Sequence, residues 1–315
     1  MHEPNFFIVG APKAGTTSLY HYLAQHPDIY MSPLKEPTYF SLELRPENFE
    51  QKTRARVEQS IEEVRRYVHG PMKERRSNGI VCEWEDYLRL FAGVTTQRAI
   101  GEASVSYLWS KTAAAGIASR MPGAKIVMVL RSPQERAYSQ YLQRVSDGSL
   151  TQSFREYVKA SLRDSGDYLS IYRPFLEIGF YAEQVQRYLT HFPRGQIGIW
   201  IYEETKTRPR EFMHELLEFL EVDSRFFPDM SKRYLEQRVP RFIKPNRLLR
   251  QARLLQLSKR FVPAPLRSAI LKKLYRPAGS VTMCPDDRAL MLDFYRNDIH
   301  RLETILGRDL NIWLA

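Results

Sequence analysis

The sequence predicts an α/β protein of three layers: a central, mainly parallel sheet flanked by helices, followed by a basic helical C-terminal segment. Three observations predict it. Short apolar runs of strand length recur along the chain. Each is followed by a stretch with helical period, an alternation that places helices on both faces of a parallel sheet. The composition, 43% hydrophobic and 26% charged over 315 residues, is that of a globular chain with a sizeable core.

Residues 5–10 read as a buried strand and 16–25 as the helix after it. Residues 43–79 are charged and irregular, with an amphipathic piece around "IEEVRRYV", and read as an insertion over the sheet edge. "KIVMVL" (125–130) is a second strand. The next helix opens on Ser132 as N-cap, Pro133 at the first helical position and Glu135 as the reciprocal capping-box partner. "FLEIGFYAEQVQRYLTHF" reads as helix, "QIGIWIY" (196–202) as a third strand, and "RPREFMHELLEFLEV" as the helix behind it. Residues 231–280 are basic and punctuated by proline, and 286–306 form a terminal helix opened by Pro285 and acids. The whole of 1–315 reads as one domain.

The turn after the first strand, "FFIVGAPKAGTTSLYHYL", is P-loop-like with one displacement. The nucleotide-binding pattern sets a lysine directly after its second glycine. Here Gly10 and Gly15 keep the glycine spacing, Thr16 and Thr17 follow, and the lysine is Lys13 in mid-loop. A turn between strand and helix presents backbone N–H groups and the positive end of a helix dipole to an anion. Thr16, Thr17 and Ser18 add hydroxyls. The second strand ends in Arg131, where a nucleotide hydrolase would place the acid that helps hold Mg²⁺. An arginine there repels a metal and welcomes a second phosphate. Ser139, eight residues on, falls on the second turn of the following helix and converges with Arg131. Together these imply a nucleotide phosphorylated at two positions and bound without metal.

These residues carry a family likeness. "FFIVGAPKAGTTSLYHYLAQHPDIYMSPLKEPTYF" and "KIVMVLRSPQERAYSQYLQ", in that order, are supported by "YLRLFAG", "AIGEASVSYLW", "IGFYAEQVQRYLTHFP" and "LETILGRDLNIWL". The chain resembles sulfotransferases that use 3′-phosphoadenosine 5′-phosphosulfate (PAPS), most of all the heparan-sulfate-type and bacterial carbohydrate or natural-product branch. The likeness covers most of the chain except 43–79 and 231–280. It implies PAPS as donor, adenosine 3′,5′-bisphosphate (PAP) as product, and no metal. It implies that Lys13 bonds the phosphosulfate and its bridging oxygen. Ala14, Gly15, Thr16, Thr17 and Ser18 would cradle the 5′-phosphate, and Arg131 and Ser139 would bind the 3′-phosphate. It also implies a general base, Glu36 in "LKEPTYF". Tyr181 is expected to reach toward the nucleotide. Arg241 and Lys244 in "RVPRFIKPNR" are expected to stand in for a late cationic loop that closes over the cofactor.

The likeness has departures. Where heparan-sulfate-type members read G-E-K-S-P, this chain has "GEASV", with Ala103 and Val105 in place of the lysine and proline. Glu102, Ser104 and Tyr107 either support the active cleft or form buried hydrogen bonds behind it. His21, His26, His69, His191 and His214 do not match the histidine base of the cytosolic aryl and steroid branch and read as structural.

Charge narrows the partners. The net charge is +11, and Ser231 to Arg276 holds fourteen Lys or Arg against one acid, Glu236. That segment attracts anions: an anionic glycan, or an anionic membrane that carries a lipid-linked acceptor. The acceptor is expected to be a hydroxyl of a glycan, glycolipid or small molecule. The expected location is the cytoplasm, with peripheral contact at the inner membrane face. No window is long and apolar enough to span a bilayer, no signal peptide is expected, and Cys82 and Cys284 suggest neither a disulfide framework nor a zinc site. Two rival readings are a P-loop kinase, opposed by the displaced lysine and by Arg131, and a non-catalytic nucleotide or nucleic-acid binder. The basic segment lacks a nucleic-acid motif, so no nucleic-acid partner is expected.

Overall fold

A computed structural model describes residues 2–163, 175–231, 234, 238–241, 273–277 and 280–314. Its centre is a five-stranded sheet, parallel throughout, in the spatial order Ile29–Met31 (β2), Ala99–Ala103 (β5), Phe6–Gly10 (β1), Lys125–Leu130 (β6) and Ile197–Ile201 (β7). β1 (Phe6–Gly10) is buried at every position, as a strand covered on both faces must be. It leads through a loop into α1 (Thr16–Leu23) and then to β2 (Ile29–Met31) at one edge. β3 (Leu34–Lys35) leaves the sheet and later pairs with β4 (Arg76–Ser77).

Between β3 and β4 lies the charged insertion. It is more regular than its composition predicts: α2 (Gln51–Val68) is an unbroken helix of 18 residues. Its apolar side buries Val57, Val64 and Val68 fully and packs Ile61 and Tyr67 in part, at helical spacing. α3 (Trp84–Arg89) follows, and β5 (Ala99–Ala103) re-enters the sheet between β2 and β1. β2 and β5 are strands that hydrophobic runs do not reveal. β2 has three residues, and β5 reads "AIGEA", with a carboxylate in its interior. Gly101 lets the strand pass, since a Cβ there would lie 2.2 Å from the Phe6 ring.

α4 (Ser106–Trp109) and α5 (Ala113–Arg120) then carry the chain to β6 (Lys125–Leu130), on the other side of β1. The chain thus leaves β1 for one side of the sheet and leaves β6 for the other. The crevice beyond their C-terminal ends is where open α/β sheets bind ligands. α6 (Pro133–Ser146) follows β6 directly. Its N-cap Ser132 accepts from the Glu135 amide as predicted, but the reciprocal half differs. The Ser132 amide donates to Glu203 at 3.1 Å, which leaves Glu135 free to pair with arginines. α7 (Phe154–Arg163), α8 (Tyr181–His191), β7 (Ile197–Ile201), α9 (Tyr202–Thr207) and α10 (Pro209–Phe219) complete the main layers.

Of the basic segment, the structure describes the antiparallel pair β8 (Arg238–Pro240) and β9 (Tyr275–Pro277), packed on α6. Most of 231–280, with its predicted helices and Lys244, lies outside the described residues. The terminal helix α11 (Pro285–Leu306) buries Met291, Tyr295, Ile299 and Leu302 along one face toward α6 and α8, and ends on Gly307. Among the described residues no helix is long and apolar enough to cross a membrane.

Candidate active site

One large cleft, about 1500 Å³, opens at the C-terminal ends of β1, β6 and β7. Its floor is the loop from β1 to α1. Lys13 has a left-handed backbone (φ 68°), and so does Gly15 (φ 79°), the residue that caps α1. Gly15 is required twice. Its φ suits a residue without Cβ, and a Cβ there would lie 3.0 Å from the Tyr202 ring. α1 has no side-chain cap and no acid in its first turn, so its leading amides face the cleft undiluted. Pro12 to Leu19 all line it. The Lys13 ammonium donates to Gln143 Oε1 at 3.2 Å.

The second wall comes from β6 and α6. Glu135, Ser139 and Gln143 share the cleft-facing side of α6, as their helical spacing requires, and Arg131, between β6 and α6, lines the cleft with them. The two predicted anion sites are joined rather than remote. The Arg131 guanidinium donates to the Lys13 carbonyl at 2.9 Å and lies over the Tyr202 ring at 5.1 Å. Glu135 draws Arg288 to 2.6 Å and Arg131 to 3.7 Å. Arg241, Arg276 and Thr282 close this side from the β8–β9 pair and the run into α11. Among the described residues, the buried Nε of neither Arg131 nor Arg276 has a hydrogen-bond partner. Cations held around a cavity with donors unspent fit a polyanionic ligand.

Glu36 reaches the same cleft from a third direction, just after β3. It too is left-handed (φ 64°), as is Thr38 (φ 52°). The buried Lys35 ammonium lies 2.5 Å from its carboxylate. Behind Glu36 sits Glu102 of β5, with no solvent exposure. Its carboxylate accepts from Tyr107 Oη at 2.7 Å, Ser104 Oγ at 2.7 Å and Tyr87 Oη at 3.0 Å. Burial lifts the Glu102 carboxyl to about 7, against the pull of those three donors and of Lys35. Glu102, Ser104 and Tyr107 are thus the buried hydrogen-bonding set, and none lines the cleft.

The model of the sulfotransferase family matches residues 4–228. The chain belongs to the sulfotransferase family. It is 30% identical over 223 residues to bifunctional heparan sulfate N-deacetylase/N-sulfotransferase 3 of Homo sapiens, covering 70% of this chain and 22% of that protein. The corresponding enzyme 2 of Bos taurus is 27% identical over 320 residues, covering 99% of the chain and 30% of that protein. Carbohydrate sulfotransferase 15 of Mus musculus is 27% identical, covering 70% of the chain and 44% of that protein. The chain therefore spans less than half the length of these relatives. A solved sulfotransferase from Alicyclobacillus acidocaldarius superposes over 100% of both chains, with TM-score 0.71 and 32% identity.

For this sulfotransferase-family chain, the structure gathers Lys13, Ala14, Gly15, Thr16, Thr17, Ser18, Glu36, Arg131, Ser139 and Arg241 around one cavity. One expected residue is displaced. Tyr181 opens α8 fully buried, its ring 6.0 Å from Trp313, and does not line the cleft. Its place at the helix start fits core packing, so reach toward a nucleotide is withdrawn. His26 is structural: buried past the end of α1, it accepts from the Asp28 amide and bonds the Asp223 carbonyl. Residues that sequence reasoning missed are Gln143, Tyr202, Arg276 and Arg288. Only Gln143 had a signal, four residues after Ser139 on the same helix.

Proposed function

We propose that the chain transfers the sulfuryl group of PAPS to a hydroxyl of a glycan, glycolipid or small-molecule acceptor. One observation carries the reading. Lys13, Glu36, Arg131 and Ser139, from three separate segments, line a single cleft at the point where the sheet's connections part. The similarity to heparan sulfate N-deacetylase/N-sulfotransferases and to a carbohydrate sulfotransferase supports a glycan acceptor. The basic composition of 231–280 supports an anionic partner.

The chemistry is a displacement at sulfur. The acceptor oxygen forms a bond to sulfur as the sulfur–oxygen bond to the 5′-phosphate breaks, so PAP leaves with the electron pair. Lys13 and the α1 amides stabilise the charge that gathers on the leaving phosphate. Glu36 takes the acceptor's proton. Arg131 and Ser139 hold the 3′-phosphate, and Arg276 and Arg241 add positive charge to the rim. None of these roles asks for a metal, and among the described residues no three of His, Cys, Asp and Glu are grouped as metal ligands.

The test is transfer of labelled sulfate from PAPS across glycans, glycolipids and phenolic or alkyl alcohols, with and without chelator, alongside calorimetric titration with PAP. Labelled product and saturable PAP binding are expected, both indifferent to chelator. Absence of PAP binding by the folded protein would remove the donor assignment. Turnover of ATP with Mg²⁺ in its place would install the kinase reading.

A further inference from the structure

Glu36 and Thr38 both adopt a conformation that L-residues with side chains rarely take. Such a segment persists only where its surroundings over-determine it. Three bonds from the β5–α4 region do so. The Glu36 amide donates to the Ala103 carbonyl at 2.9 Å. The Thr38 amide donates to Ser104 Oγ at 3.1 Å, and the Phe40 amide to Tyr107 Oη at 3.4 Å. The last two acceptors are hydroxyls, and a hydroxyl accepts in a fixed direction only when its own hydrogen is committed elsewhere. Both commit it to Glu102, at 2.7 Å each. The buried carboxylate therefore sets the polarity of the two hydroxyls that grip the chain beyond Glu36. Each bond in such a series also polarises the next.

We propose that Glu102 is a positioning residue for Glu36. It touches neither cleft nor ligand, and acts through Ser104 and Tyr107 by holding the Glu36–Phe40 turn in its left-handed path. The sequence order conceals the relation, since 66 residues separate Glu36 from Glu102. The inference rests on reading Glu36 as the base.

The test uses the whole protein with Glu102→Gln and Ser104→Ala. Glu102→Gln leaves the volume but puts an amide where a carboxylate oxygen received a hydroxyl. Ser104→Ala keeps the Glu102 side chain but removes the acceptor of the Thr38 amide together with one of the three donors to Glu102, and Ser104→Thr restores a hydroxyl. Three quantities are read: amide hydrogen exchange at 36–40 and at 15–18, PAP affinity by calorimetry, and kcat with the best acceptor of the screen. In both variants exchange at Thr38 rises about tenfold or more while 15–18 keeps its protection. PAP affinity stays within about twofold and kcat falls on the order of 10²-fold, the scale of a small misplacement of a reacting group. Ser104→Thr recovers most of kcat. In a Glu36→Gln background the further loss of kcat vanishes, because there is no base left to position. Unchanged exchange at Thr38 in Glu102→Gln would overturn the proposal, and so would a kcat loss that persists undiminished in the Glu36→Gln background. Wild-type turnover in Glu36→Gln alone strikes down the base reading instead, while the exchange measurement still reports the hold of Glu102 on the turn.

Discussion

Two loops of the cleft put their key residue in the same unusual backbone conformation, Lys13 at φ 68° and Glu36 at φ 64°. They are held there by different mixtures of main chain and side chain. The Lys13 loop is held by main chain. β1 fixes its start, Gly15 permits its second left-handed step, and α1 fixes its end, while the Arg131 guanidinium takes the Lys13 carbonyl. The Glu36 turn has main-chain bonds to Ala103, Gly79 and Val81, but its Thr38 and Phe40 amides are held by side chains distant in sequence: Ser104, Tyr107 and, behind them, Glu102. The first has the form of an anion cradle, one that a strand, a turn with the right glycines and a helix can build. The second is specific to what β5 brings. A loop of the first kind tolerates change outside itself, and a loop of the second kind fails at a distance.

The largest effect tests whether the second loop does chemistry. Glu36→Gln keeps an oxygen for the buried Lys35 ammonium and removes the basic site, so kcat should fall about 10²–10⁴-fold, the range for loss of a general base. Glu36→Ala should also destabilise the protein, because it leaves Lys35 buried without its partner at 2.5 Å. Steady-state turnover and thermal melts of the two variants separate these consequences. Equal melts with near-normal kcat would show that Glu36 has no chemical role and dissolve the contrast between the loops. On the other side of the comparison, Lys13→Ala should lower kcat about 10²–10³-fold, the cost of losing one preorganised donor to a developing charge. Its melting temperature should hold, since the cradle is main chain. A fold-wide loss of stability instead would show that the lysine, not the backbone, holds the loop.

How much of each loop the sequence reveals follows the same division. The Lys13 loop lies within nine contiguous residues, Gly10 to Ser18, so glycine spacing and helix onset expose it. Ser139 falls out of counting along a helix whose N-cap is visible in Ser132–Pro133. The Glu36 turn is legible only as a resemblance. Its support is a carboxylate inside a strand that breaks the apolar pattern, and nothing local links Glu102 to Thr38. The insertion shows only the second half of its helix, the amphipathic piece from Ile61 to Val68, because the charged first half offers a single buried apolar position, Val57. Tyr181 was misplaced because an aromatic at a helix start looks alike whether it faces ligand or core. Arg276 and Arg288 reach the cleft from more than 130 residues beyond Arg131, a distance no spacing rule bridges.

The buried support can itself be titrated. Burial raises the Glu102 carboxyl from an ordinary value near 4.5 to about 7 in the folded protein. The native state therefore holds this proton more tightly than the unfolded chain does. The resulting stability is complete below about pH 4.5 and is lost as pH rises toward 7. Relative to Glu102→Gln, which has no such group, the wild type should lose up to about 3 kcal/mol across that window. Urea denaturation of both proteins at several pH values reads the difference. Parallel pH profiles would show that the carboxylate stays charged throughout, carried by its three hydroxyl donors.

The smallest effect is the most discriminating for the first loop, because Arg131 serves two partners. Its guanidinium already holds the Lys13 carbonyl at 2.9 Å, and the proposed function gives it the 3′-phosphate as well. Arg131→Ala should weaken PAP by about 10- to 100-fold, the worth of a charge-assisted hydrogen bond. Adenosine 5′-phosphate, which lacks the 3′-phosphate, separates the two duties. If the guanidinium binds that group, the substitution weakens PAP and leaves the monophosphate nearly unchanged. If it chiefly braces the loop, both ligands weaken alike, because the proposed function puts the 5′-phosphate on that loop. Arg131→Lys sharpens the choice: it keeps the charge and loses the planar fork, so a bidentate phosphate contact should be only partly restored. Equal losses for the two nucleotides would mean that the main-chain loop also depends on a distant side chain, and would close the gap between it and the Glu36 turn.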